Sequence, residues 1–72
     1  MRGLEMTDAE VLAEAIKRRR GKETLELAVG RAVRNRAGKY EDYMRIMADV
    51  RDLAETKGIS VDEAAKEIAN QP

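Results

Sequence analysis

The sequence predicts an all-α fold: a small bundle of three helices plus a short C-terminal fourth helix, assembled as a dimer. Three observations carry that expectation. Apolar residues recur at helical spacing, and no segment alternates as a strand would. Hydroxyl residues open the periodic segments and glycines follow them. Large apolar side chains are scarce: the 72 residues include no Phe, no Trp and two Tyr, and eleven Ala supply much of the remaining apolar surface. A chain this short buries only about 60% of the surface its unfolded form exposes. It has no Cys for disulfides and neither His nor Cys for zinc. A second copy is the expected way to cover its helices.

Residues 1–6 read as a flexible lead-in and residues 7–70 as one helical domain. Thr7 and Glu10 form a capping-box signature, and Met6 and Val11 are placed as its hydrophobic staple. Val11, Leu12, Ala15 and Ile16 make the apolar stripe of the first helix, Lys17 to Arg20 suit its C-terminus, and Gly21 is the expected left-handed stop. A second helix is expected from about Thr24 to about Ala37, with the stripe Leu25, Ala28, Val29, Ala32 and Val33. Leu27 falls on the opposite side with Gly30 and Arg34, as ordinary exposed surface.

The third helix, about Tyr40 to Lys57, has the cleanest pattern. Tyr43, Ile46, Met47, Val50, Leu53 and Ala54 share one side, and Glu41 precedes Arg45 by one turn, placed to pair with it. Gly58 ends this helix. Ser60 and Glu63 make a second capping box, with Val61, Ala64, Ala65 and Ile68 as the stripe of the fourth helix and Pro72 closing the chain. Gly38 decides the architecture. If the helix broke there the chain would fold into a bundle; if it did not, one rod from Thr24 to Lys57, about 50 Å long, would require a dimer. The break is favoured, because mid-helix Gly costs about 1 kcal/mol and Arg36 and Lys39 interrupt the stripe.

The formal net charge is zero, but residues 1–39 hold ten Lys/Arg against six Asp/Glu and residues 40–72 hold four against eight. The halves therefore attract one another or face different partners. Catalytic chemistry finds little support. His and Cys are missing, and the one Ser, Ser60, is accounted for by capping. Gly21-Lys22 lacks the Ser/Thr and the earlier Gly of a phosphate-binding loop. Asp62, Glu63 and Glu67 read as a solvated face and not as a cation site. No cofactor and no metal are expected.

Lys17, Arg18, Arg19, Arg20 and Lys22, followed by Arg31, Arg34, Arg36 and Lys39, form basic clusters of the kind that neutralise phosphates. Their plainer role is in helix termini, solubility and pairing with the acidic half. The segment Val50 to Ile59 (VRDLAETKGI), continued by Ser60, resembles the first half of a DNA-binding helix-turn-helix, with Leu53, Ala54, Gly58 and Ile59 in the order of that motif. The resemblance covers about eleven residues and implies a recognition helix after Ser60. That segment carries Asp62, Glu63 and Glu67 with only Lys66 in favour, and a plain helical corner has the same signature.

The leading expectation is a non-enzymatic interaction module acting through homodimerisation or partner-protein binding. Its interface is Leu25, Val29 and Val33 on the second helix with Tyr43, Ile46, Met47, Val50 and Leu53 on the third. Met44 and Met47 would give an adaptable groove. The alternative is a small nucleic-acid-binding regulator using Lys17, Arg18, Arg19, Arg20, Lys22, Arg31 and Arg34. A basic half on nucleic acid and an acidic half on protein would loosely resemble the small antitoxins of toxin–antitoxin pairs, though no motif matches a particular family. No apolar run is long enough to span a bilayer and no signal-peptide core stands near the start, so the cytoplasm is the expected location.

Overall fold

In the computed structural model, residues 6–71 are described, and residues 1–5 of the expected lead-in, with Pro72, lie outside them. Four helices follow in order: α1 (Asp8–Arg18), α2 (Leu25–Asn35), α3 (Tyr40–Lys57) and α4 (Val61–Ala69). Packing runs α1 on α2 and α4, and α3 on α4, with α2 on α3 the sparsest of the four seams. The radius of gyration is 11.4 Å, against about 11 Å for a compact chain of this length. The chain is folded back on itself and is not a rod. No described helix is long and apolar enough to cross a membrane.

Each helix starts where its capping residue stands. Thr7 and Glu10 close a full capping box: the Glu10 N–H donates to Thr7 Oγ1 at 3.2 Å and the Thr7 N–H to Glu10 Oε1 at 3.0 Å. Met6 packs partly buried against the core, where a staple residue should be. Thr24 accepts from the Leu27 N–H at 3.3 Å. Ser60 accepts from the Glu63 N–H at 3.1 Å, but its hydroxyl, and not its backbone N–H, donates to the Glu63 carboxylate, so the expected second box is only half made. At α3 the capping oxygen comes from inside the helix, because Lys39 has no acceptor: its N–H donates to Asp42 Oδ2 at 2.8 Å.

Two helix ends differ from expectation. Gly21 is not left-handed. Helix α1 stops because Arg19 turns extended (φ −62°, ψ 131°), after which the Glu23 N–H donates to the Arg20 carbonyl across a tight turn. After α2 the left-handed residue is Ala37 (φ 57°), one position before the glycine. The Ala37 N–H donates to the Arg34 carbonyl (3.1 Å) and the Gly38 N–H to Val33 (2.8 Å), the paired bonds of a Schellman motif. The chain does break before α3, at the cost of a Cβ in the left-handed region. Gly58 takes that role as expected (φ 67°), with the Ile59 N–H donating to the Ala54 carbonyl at 3.0 Å.

The core is wholly apolar among the described residues and closes within one chain. Val11, Leu12, Val29, Ile46, Met47 and Val50 are fully buried, as are Ala64 and Ala65. Few large residues suffice because alanines line the seams: Ala15, Ala28, Ala32 and Ala54 are also buried, and side chains this small let helices approach closely. Despite the scarcity that led to the expectation of a covering partner, these residues are buried within the single chain. Leu25, Val29, Val33, Ile46, Met47 and Val50 therefore belong to this core, while Tyr43 and Leu53 are partly buried at its margin.

Candidate functional site

With the stripes enclosed, the large apolar side chains left in water mark a different surface. Leu27 is 62% exposed, Tyr40 73% and Met44 46%. Leu27 and Tyr40 border an open groove of about 540 Å³ along the sparse α2–α3 seam. Leu27 is held in the first turn of α2 by the Thr24 cap. Gly30, one turn further, contributes no side chain, and a Cβ there would meet the Tyr43 ring at 3.9 Å. Val33 closes the groove from beneath, and the Tyr40 and Tyr43 rings stack across it with centroids 5.8 Å apart and planes at 28°. Met44 stands one turn beyond Tyr40 on α3.

The groove's rim is charged. Glu26 lies at one end, Arg34 and Lys39 at the other, and none of the three has an ion-pair partner among the described residues. The Lys39 N–H holds the Asp42 carboxyl below its ordinary value, with Arg45 assisting. The groove's chemistry is that of an apolar socket with both signs of charge at its edge.

The basic candidates divide in two. Arg19 donates from Nε to the Glu23 carbonyl (2.8 Å) and from a terminal nitrogen to Asp62 Oδ1 (2.9 Å), tying the α1–α2 junction to α4. Arg31 grips the Glu23 carboxylate with both terminal nitrogens and donates to the Arg18 carbonyl at 3.0 Å, which draws the Glu23 carboxyl down. Arg18 lies 3.6 Å from Glu14. Arg36 reaches Glu14 through two 3.0 Å bonds, the main reason that carboxyl is also lowered. Lys17, Arg20, Lys22 and Arg34 are exposed and make no ion pair among the described residues. Arg19 and Arg31 are thus engaged in the fold, while Arg18, 67% exposed, stays open to solvent beside Lys17, Arg20, Lys22 and Arg34. Attraction between the halves is visible mainly at Arg19–Asp62.

A second depression, about 550 Å³, lies where α1 meets α3 and α4, bordered by Asp8, Asp49, Asp52, Leu53 and Ile68. Burial and a hydrogen bond shared with Asp8 push the Asp49 carboxyl above its ordinary value. Arg45 answers this crowding. It bonds Asp42 (3.1 Å) and Asp8 (3.2 Å) and not Glu41, its expected partner, because the N-terminus of α1 brings Asp8 within reach. The corner resembling a helix-turn-helix does form between α3 and α4. The outward face of α4 carries Glu63, Lys66 and Glu67, and Glu67 is paired with Lys57 at 2.6 Å.

Comparison with protein-family models, with characterised proteins and with solved structures finds no match.

Proposed function

We propose that this chain is a non-enzymatic helical interaction module that docks another protein segment in the α2–α3 groove. The observation that carries this reading is the exposure of Leu27 and Tyr40, the two most exposed large apolar side chains among the described residues, beside a socket left open by Gly30. Exposed apolar surface gathered at one concave place and edged with charge is how docking surfaces are built. The groove also supplies what the buried stripes lack, namely side chains free to meet a partner. Selection from a random-peptide display library tests it. Peptides retained by the wild type should lose binding at least about tenfold to Leu27→Glu or Tyr40→Glu. If every selected peptide binds those variants unchanged, the reading fails.

Nucleic-acid binding is the second reading, supported by the exposed cations Lys17, Arg20, Lys22 and Arg34. Engagement of Arg19 and Arg31 within the chain, and the carboxylates on α4, weigh against it. Its test is retention on DNA or heparin at low ionic strength, lost steeply with added salt.

A further inference from the structure

We infer that the occupant of the groove is a second copy of this chain, docked antiparallel so that the two α2 helices cross at Gly30. This rests on the docking reading above and names its partner. On the outer side of α2, Glu26 and Arg34 stand four residues before and four residues after Gly30. Each is about 6 Å from it along the helix axis, one turn either way. A twofold axis through Gly30 sets Glu26 of each copy opposite Arg34 of the other, giving two identical ion pairs. Parallel docking would set like charges face to face. The groove is therefore complementary to itself in one orientation and repulsive in the other.

The apolar groups fit the same arrangement. Gly30, at the axis, has no side chain to hold the helices apart, and its neighbour in the chain is the partly buried Tyr43 ring. Leu27, three residues before the axis, is carried towards the other copy's Val33–Arg34 turn, where the groove is lined by Val33 and the stem of Arg34. Tyr40 is exposed along the edge of the same seam and extends the apolar contact beyond α2. A twofold pairing uses both grooves and leaves neither open, so assembly stops at two. A single groove with two exposed apolar side chains offers less than the roughly 800 Å² per partner of a standard interface, so the pairing is expected to be weak and reversible.

Sedimentation velocity on the full chain, from about 10 µM to about 1 mM, tests this inference. The wild type should pass from monomer to dimer across that range. Glu26→Arg and Arg34→Glu, each alone, should weaken the dimer at least about tenfold, and the two together should restore it. Orientation is read separately by oxidative cross-linking. Gly30→Cys should link to its own copy, being on the axis, while Glu26→Cys should not, and far-ultraviolet circular dichroism confirms that each variant is folded. A wild type monomeric throughout, a double variant no better than the singles, or equal cross-linking at both positions overturns the inference. A monomeric chain that still selects Leu27-dependent peptides leaves docking intact and refutes only the second copy. A chain that does neither refutes both.

Discussion

The helix seams of this bundle solve the same packing problem in opposite ways. Where α4 lies against α1 and α3, small residues face inward: Ala64 and Ala65 are fully enclosed, and the elements meet closely. Where α2 lies against α3, larger side chains are available but contact is the sparsest of the four seams, and Leu27 and Tyr40 stay in water. Side-chain bulk thus works against closure, although it offers more area to bury. Closure depends on how near two backbones can come, and alanine serves that better than tyrosine. Among the described residues, the open seam holds the most exposed large apolar side chains, Leu27 and Tyr40.

That contrast can be broken most sharply by equal truncations on its two sides. Leu12→Ala, at a fully buried position, should cost about 3 kcal/mol, a large part of the roughly 4–11 kcal/mol expected for a chain of this length. Leu27→Ala should cost no more than about 0.5 kcal/mol. Urea midpoints measure both, and similar losses would erase the distinction between the seams. Overfilling the closed seam comes next. Ala64→Leu should cost about 1–3 kcal/mol, because the close approach leaves no room for three more carbons; an unchanged midpoint would mean that seam is looser than described.

Smaller effects sharpen the picture at the ends of the two seams. Ala37→Gly relieves a left-handed Cβ beside the open seam and should stabilise by about 1 kcal/mol, after allowing for the added freedom of the unfolded chain. Thermal unfolding of the variant above the wild type would bear this out. Last is the acidic cluster beside the closed seam. The Asp49 carboxyl titrates above its ordinary value in the folded chain, so the folded state holds its proton more tightly than the unfolded state does. Stability from this group is present at low pH and is lost as pH rises through the folded value. Asp49→Asn should therefore unfold at a higher temperature than the wild type at pH near 7, by a degree or so, and the advantage should vanish near pH 3. Glu10, Glu14, Glu23 and Asp42 shift the other way. Both proteins should consequently lose stability in acid, and only the difference between them reports Asp49.

The helices were legible because the signals that set them are local. Thr7, Thr24 and Ser60 mark starts by satisfying N–H groups three residues away, and stripes at helical spacing mark the buried faces. The bundle in place of a rod was legible at Gly38, although the residue that turns is Ala37. What the pattern could not convey is distance between helices. Reckoned by area, eleven alanines look like a shortage; yet Ala15, Ala28, Ala32, Ala54, Ala64 and Ala65 are buried in the same core as Met47 and Val50. The same blindness hid the groove. Leu27, Gly30 and Arg34 share the outer side of α2 in the sequence alone, but only the fold brings Tyr40 and Tyr43 beside them. Long-range ion pairs were invisible for the same reason: Glu14–Arg36 and Asp8–Arg45 join residues 22 and 37 positions apart.

The interior of the described chain contains no buried polar side chain. Hydrocarbon and thioether contacts are non-directional. The buried stripes set which face each helix turns inward, and fine adjustment along that face is shared with polar groups at the edge. At that edge Arg19 reaches Asp62, Arg36 reaches Glu14, Arg45 reaches Asp8 and Lys57 reaches Glu67, each across a helix boundary. These links are exposed to solvent ions and weaken with ionic strength. Brine should thus blur this molecule before it melts it, preserving helix and compactness while multiplying the arrangements that its oily centre tolerates.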